Sequence, residues 1–384
     1  MLQEPIMKSQ ISKLRLPPIS PLIGTGPVNF LRGIFVHGQV RPCRWLPIVF
    51  SFIIIILSTP FRLFDAFYFP KRLKTYRLKY PPLFIIGHWR SGTTFLHNIL
   101  SLDKRAAFVT TYHSVFPDFL KVKPFFGLFM RRLMPEYRPG DNVKMNMDYP
   151  QEEEYALSNM TPNAFYHAFY FPKAWPDYYE KFIRFDNLSA KRKACWKRKY
   201  DELVKKACLN TGGERPVLKN PVNTGRIRQL LELYPEARFV YLVRHPVEVF
   251  CSSKKFFSAV IPTLSFQKIT EDEIGKIILD VYERLLKDYL ATRHLIPQNR
   301  LIEVRYEELR ADAAGEIEKI YHVLDLGDMQ EALPTLHDYL KEQKAHHPDK
   351  YQLTKKELDT ILNRWDFALK EWGYDVPENV QISA

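Results

Sequence analysis

The sequence predicts an α/β protein: an open, mostly parallel sheet flanked by helices. Three observations predict it. Short apolar runs alternate with helical stretches from residue 81 onward, and a glycine loop lies between the first such run and a helix. The run Phe239–Val243 is apolar almost without a break, as in a parallel strand covered on both faces. The 384 residues are 46% hydrophobic and 26% charged, which provides a sizeable core and excludes intrinsic disorder or a fibrous chain. With one strongly apolar run, a polytopic membrane protein is excluded as well.

Met1–Pro18 is polar and interrupted by proline, so no secretory signal is expected there. Trp45–Phe61 follows as 17 uncharged residues between Arg44 and Arg62, containing Pro47 and Pro60. A spanning helix needs about 20 apolar residues, so this run is short. Three readings stand: a buried core helix, a single-pass anchor, or an interfacial segment dipping into one leaflet. Basic residues on both sides favour the last. Residues 1–80 are therefore expected to form a hydrophobic, membrane-associating segment, and residues 81–384 the globular domain. Four scattered cysteines (43, 195, 208 and 251) without a CxxC pair read as reduced thiols, not a disulfide framework or a zinc site. The expected location is cytoplasmic, peripheral on the inner membrane face.

Along the domain, Leu83–Ile86 reads as a strand, Gly87–Thr94 as a loop and Phe95–Leu100 as a helix. Residues 113–210 form an aromatic-rich, mostly helical insertion, expected to cap the substrate. Pro216–Lys219 is a short strand, Thr224–Tyr234 a helix, Phe239–Val243 a strand and Val249–Phe257 a helix. Ile274, Ile278, Val281, Leu285 and Tyr289 recur at helical spacing. Leu301–Val304 and Ile317–Leu324 add a strand and a helix. The net charge of +13 suits an anionic partner: nucleic acid, an acidic membrane face or a small polyanion. The basic helix Lys191–Lys206 is too poor in aromatics for a nucleic-acid platform and reads mostly as a solvated face, so no nucleic acid is expected.

The loop Gly87-His-Trp-Arg90-Ser91-Gly92-Thr93-Thr94 has the glycine spacing of a P-loop, whose backbone N–H groups and helix N-terminus cradle an anion. The plain alternative is a tight glycine turn. A nucleoside-triphosphatase loop needs lysine after the second glycine, where Thr93 stands; the cation comes earlier, as Arg90. A Walker-B strand ends in an acid that helps hold magnesium, whereas Phe239–Val243 runs into Arg244-His245-Pro246. The loop is expected to bind an anionic group other than ATP, with no metal.

These residues resemble the sulfotransferases that use 3′-phosphoadenosine 5′-phosphosulfate (PAPS), over roughly residues 80–370. The resemblance implies that Arg90, Ser91, Gly92, Thr93 and Thr94 cradle the 5′-phosphosulfate. Phe95 falls where cytosolic members carry an adenine-packing tryptophan. Arg244 and Ser252 match the residues that hold the 3′-phosphate, and Val217-Leu-Lys219-Asn-Pro221 is similar to the strand-end lysine motif facing the sulfuryl group. Asn223 stands where many relatives carry histidine. Lys350, with His346 and His347, has two readings: a covering loop reaching the 3′-phosphate, or a solvated polar loop.

Sulfuryl transfer needs charge neutralisation, for which Arg90 and Lys219 are the natural cations, and a base for the acceptor hydroxyl. Glu152-Glu153-Glu154 read as the first turn of a helix, where glutamates favour the dipole without any catalytic role. Relatives outside the cytosolic branch often use glutamate. Successive helical side chains point about 100° apart, so one site cannot take all three. Glu152 is the first candidate base, Glu154 the second and His113 the rival. Phe116, Phe119, Phe126, Phe165 and Phe169, joined to the N-terminal segment, favour a hydrophobic hydroxylated acceptor, a sterol or lipid alcohol; the whole pattern is similar to bacterial membrane-lipid and sterol sulfotransferases. Alternatives left open are a soluble alcohol, phenol or sugar as acceptor, a P-loop kinase or nucleotide switch, and a non-catalytic lipid- or polyanion-binding protein.

Overall fold

The computed structural model describes residues 21–36, 39–134, 136, 145–328, 333–343, 351–375, 377 and 380–383. Two N-terminal helices, α1 (Pro27–Val36) and α2 (Trp45–Thr75), precede strand β1 (Leu83–Ile86) and helix α3 (Thr93–Leu100). A short β2 (Ala106–Ala107) leads into helices α4 (Thr111–Val115), α5 (Lys123–Leu133), α6 (Glu153–Met160), α7 (Trp175–Tyr179) and α8 (Ala190–Thr211). Then come β3 (Arg215–Lys219), α9 (Ile227–Leu233), β4 (Arg238–Val243), α10 (Pro246–Leu264), α11 (Glu271–Thr292) and β5 (Leu301–Arg305). The chain closes with α12 (Tyr306–Ala311), α13 (Ala313–Val323), α14 (Leu333–Gln343), β6 (Tyr351–Thr354), α15 (Lys355–Trp372) and β7 (Val380–Ser383).

The main sheet has the order β2-β3-β1-β4-β5 with every pairing parallel, and β6 and β7 make a separate parallel pair. Side chains alternate across it. Phe84, Ile86, Leu218, Phe239 and Tyr241 face a core shared with α9, α10, α11 and the helical insertion. Leu83, Ile85, Val217, Val240 and Leu242 face a second core with α3 and α13. Burial on both faces explains the uninterrupted apolar runs of β1 and β4. The chain leaves β1 toward β2 and β3 on one side, then crosses to β4 and β5 on the other. A crevice therefore opens at the carboxyl end of β1, where such sheets bind ligands.

Three expectations change in the structure. The stretch from residue 224 starts as a 3₁₀ turn over Pro221–Gly225 before α9, because Asn220 caps that turn by accepting from the Val222 N–H. More consequentially, α2 does not stop at Pro60 but runs 31 residues, through Pro60 and Pro70. In the turn before Pro60, the Ser58 and Thr59 hydroxyls donate to the Ile55 carbonyl at 3.0 and 2.8 Å. Helix α2 is thus long enough to cross a membrane, and only 22% of its most apolar window is buried, so it is not a core helix. The basic helix α8 also departs from a purely solvated face: Lys206 is buried and bonds Asp118 at 2.9 Å and Glu202 at 3.0 Å.

Candidate active site

The site is assembled from strand ends. At the end of β1, Gly87 (φ +135°) cannot carry a side chain, since a Cβ would lie 2.5 Å from the Leu242 carbonyl oxygen. Gly92 (φ +91°) is pressed against the Tyr306 ring, which a Cβ would meet at 2.2 Å. Between them Arg90 adopts φ +70°, a left-handed conformation that costs energy for a non-glycine residue and must be held by its surroundings. Its Nε donates to Ser252 Oγ on α10 at 3.1 Å, and its guanidinium lies 5.0 Å from the Phe256 ring centroid. Arg244, just past β4, donates to the Arg90 carbonyl at 3.0 Å and to Glu248 at 2.7 Å. Arg90, Arg244 and Ser252, 162 residues apart in sequence at most, therefore form one cluster beside the loop. Thr94 Oγ1 receives a bond from Lys219 Nζ, at the end of β3, at 3.3 Å. Ser91 and Thr93 are buried within the turn. Phe95 stacks on Tyr339 of α14 with centroids 6.2 Å apart, and the Arg310 guanidinium lies 5.0 Å from its ring. Lys350, His346 and His347 lie outside the described residues.

The three glutamates at the start of α6 diverge. Glu152 turns toward the loop: Lys219 donates to Oε1 at 2.5 Å and the Tyr166 hydroxyl donates to Oε2, while Trp89 Nε1 donates to that hydroxyl at 3.0 Å. Glu154 turns away into the scaffold, which corrects its place as second candidate base. Arg226 clasps it through two bonds of 2.6 and 2.9 Å, with the Asn220 amide at 2.8 Å and the Phe165 N–H at 2.7 Å completing its shell. Both side chains are fully buried. A carboxylate whose two oxygens already accept from four donors at such distances has no lone pair left for substrate.

Glu153 faces a third way. Tyr200 and the Asn223 amide donate to its Oε1 at 2.8 and 2.7 Å, and Oε2 is buried without a partner. Asn223 thus has a structural partner in the scaffold. Burial, outweighing the bond from Tyr200, pushes the Glu153 carboxyl up to about 7. The fold favours the neutral acid, so this stabilising contribution is complete below the ordinary value of 4.5 and disappears as pH rises through about 7. Glu153→Gln is accordingly expected to gain stability over the parent, by about 1–3 kcal/mol, as pH climbs from 4.5 to above 7. Urea unfolding across that range measures it, and a pH-independent difference would show that Glu153 titrates normally.

His113, the rival base, is fully buried, and neither ring nitrogen has a hydrogen-bond partner. Burial, reinforced by the neighbouring Lys206 ammonium, holds its pKa down at about 3. Its electrostatic neighbours are Lys206, Asp118 and Lys123, none of which belongs to the loop, so it is corrected to a core residue.

Sequence reasoning gave three residues no role at the site. Trp89 and Tyr166, the latter counted only among the cap aromatics, are the hydrogen-bonded pair behind Glu152. His88 is the third: its Nδ1 sits 2.8 Å from the Trp89 carbonyl, an acceptor, so the proton is on Nδ1, and burial keeps its pKa down at about 4. His88 and Trp89 begin an apolar cleft lined also by Phe169, Trp175, Phe257 and Ile278. The only advance signal was that both residues lie inside the glycine loop. The cap aromatics divide: Phe165 and Phe169 line the cleft, whereas Phe116, Phe119 and Phe126 pack in a separate core under α2.

A parallel sheet whose glycine loop carries arginine in place of the Walker lysine, and whose β4 ends in arginine, defines a group-transfer enzyme built around an anionic donor. The chain belongs to the Sulfotransferase family, whose profile it matches over residues 81–331. It is 29% identical over 346 residues to omega-hydroxy-beta-dihydromenaquinone-9 sulfotransferase Stf3 of Mycobacterium tuberculosis, and equally to Stf3 of Mycobacterium bovis, covering 89% of this chain and 88% of each relative. Among solved structures, sulfotransferase STF9 from Mycobacterium avium has a TM-score of 0.70 at 14% identity, covering 91% of this chain and 92% of that one. Sulfotransferase STF1 from M. tuberculosis has a TM-score of 0.64 at 18% identity, covering 88% and 90%. These two likenesses show the fold. The family membership makes the chain a sulfotransferase and sets aside the kinase and nucleotide-switch readings.

Proposed function

We propose that this sulfotransferase moves the sulfuryl group of PAPS to a hydroxyl of a lipid-like acceptor held in the apolar cleft, with Glu152 as base. The observation that carries the reading is the Thr94–Lys219–Glu152–Tyr166–Trp89 chain of hydrogen bonds, which joins the anion loop to the wall of the cleft. The residues suit the donor: the loop's N–H groups and Arg90 fit the 5′-phosphosulfate, Arg244 and Ser252 the 3′-phosphate, and Phe95 with Arg310 an adenine ring. The donor supplies an electrophilic sulfur. The acceptor oxygen bonds to that sulfur as the bond to the phosphate oxygen breaks, the electron pair leaving with the bisphosphate. The hydroxyl proton passes to Glu152. Lys219 neutralises charge on the sulfuryl oxygens, and its shift from Glu152 toward them frees Oε1 to take the proton. Residues 113–210 serve as the acceptor cap, contributing Phe165, Phe169 and Trp175 to the cleft. The lipid-like acceptor is supported by that apolar lining and by the menaquinone derivative in the name of Stf3.

Thermal melts with 3′,5′-adenosine bisphosphate, ADP and magnesium-ATP test the donor. At about 100 Kd the bisphosphate is expected to add roughly 2.7 kcal/mol of stability, and Ser252→Ala to weaken that effect. A shift with magnesium-ATP alone would overturn the donor assignment. Turnover with PAPS and sterols, polyprenols or sugars then tests the acceptor, and activity confined to sugars would refute the lipid reading.

A further inference from the structure

We propose that α1, α2 and α5 together form a docking surface for one leaflet of an anionic membrane, with α2 lying in the plane of the interface and not crossing it. Sixteen of the seventeen large apolar side chains exposed among the described residues belong to these helices. Phe35 is 67% exposed, Leu57 70%, Phe67 84% and Phe125 64%. The helices are contiguous: Phe30 stacks on Phe52 at 6.1 Å, joining α1 to α2, and Phe61 stacks on Phe125 at 5.6 Å, joining α2 to α5. Isolated exposed apolar residues are ordinary on a protein surface, but a concentration of this kind marks an interface.

The orientation follows from the opposite face of α2. Ile48, Ser51, Ile55, Ser58, Asp65 and Phe69 are its buried residues, a three-and-four spacing that keeps one stripe against the body along most of the helix. Asp65 accepts from the Leu120 and Lys121 N–H groups at 2.7 and 2.8 Å, and Arg62 bonds Asp118 at 3.1 Å and the Gly24 carbonyl at 2.6 Å. To cross a bilayer, α2 would have to break these contacts or take its polar partners into hydrocarbon, where unsatisfied groups cost several kcal/mol each. Lying flat, it keeps them all. Its outward stripe from Leu46 to Phe67 gives about 32 Å of apolar edge.

Charge identifies the occupant. Asp65 is the one acidic residue in the three helices, and it is turned inward. Exposed cations rim the surface: Arg32 on α1, Arg41 before α2, Lys71, Arg72 and Lys74 at its end, and Arg131 and Arg132 closing α5. A second copy would oppose this rim with like charge, whereas anionic headgroups neutralise it. The surface also adjoins the cleft. Arg44 donates to the Pro262 carbonyl at 2.5 Å, next to the cleft residue Ile261, and Gly33 packs beside His167, next to the cleft residue Ala168. On the function proposed above, an amphiphilic acceptor passes from leaflet to cleft without crossing water.

Flotation of the full chain with vesicles tests the surface without turnover, so its failure leaves the transferase reading standing. Phosphatidylcholine vesicles, with and without phosphatidylglycerol, serve as probes. The expected result is binding strengthened by phosphatidylglycerol, lowered at least about tenfold in F35D/L57D/F67D, and no longer lipid-charge dependent in K71E/K74E. Bisphosphate-dependent melting of each variant verifies the fold, and L57D alone replaces the triple variant if that variant fails to fold. Carbonate washing of cell membranes should release the protein. The proposal is overturned by no flotation with either vesicle, by full binding of folded F35D/L57D/F67D, by carbonate resistance, which means a spanning helix, or by a stable dimer that buries Phe67.

Discussion

Glu152→Gln is expected to lower kcat by about 10²–10⁴-fold while leaving the affinity for 3′,5′-adenosine bisphosphate unchanged. The amide has the shape of the carboxylate, so its oxygen can still accept from Lys219 and its NH₂ can reach the Tyr166 oxygen. It cannot take a proton from an acceptor hydroxyl. The substitution thus separates geometry from basicity at one atom. Single-turnover rates with PAPS and a lipid alcohol, alongside bisphosphate titration, measure both. Unchanged turnover would move the base away from Glu152, and the unprotonated Nε2 of His88, on the cleft wall, is the next basic atom.

The second large effect concerns stability. Glu154→Gln strands the Arg226 guanidinium, fully buried, without its counter-charge, and is expected to cost about 3–5 kcal/mol in urea unfolding. Arg226 is committed elsewhere too, donating to the Phe182 carbonyl at 2.8 Å and lying 5.2 Å from the Trp196 ring centroid, so it cannot swing out to water. The double replacement E154L/R226M should recover only part of the loss: it removes the stranded charge, but the Asn220 amide, the Phe165 N–H and the Phe182 carbonyl lose these partners. Folded Glu154→Gln should keep its kcat, unlike Glu152→Gln. A cost below about 1 kcal/mol, or a collapse in kcat with stability intact, would return Glu154 to the chemistry.

The contrast between these neighbouring glutamates shows why parts of the site were legible in sequence and parts were not. The loop and the ends of β1, β3 and β4 could be read because each is a local device. A glycine at positive φ, a hydroxyl at a helix start and a cation after an apolar strand do their work within a few residues. The sheet's two-sided burial was equally visible in the unbroken apolar runs of β1 and β4. Glu152, Glu153 and Glu154 present the opposite case: identical side chains in one turn, each given its role by a distant partner. Those partners are Lys219 for Glu152, Tyr200 with Asn223 for Glu153, and Arg226 for Glu154. His113 looked like a base in isolation and became inert once the core closed over it beside Lys206.

Helix α2 carries the same lesson at larger scale. Its apolar run, short and carrying Pro47 and Pro60, left burial, spanning and surface docking open, with the flanking basic residues favouring the last. What separates those outcomes is the stripe from Ile48 to Phe69 packed on the body, with Asp65 and Arg62 bonded into it. The sequence by itself determined the parallel α/β sheet, the glycine loop and the cations at its strand ends, because backbone geometry and strand burial are written in short-range patterns. Only the tertiary structure decided which glutamate meets the loop, which aromatics line the cleft and which face of α2 is left outward, because each depends on groups brought together from tens to more than a hundred residues apart.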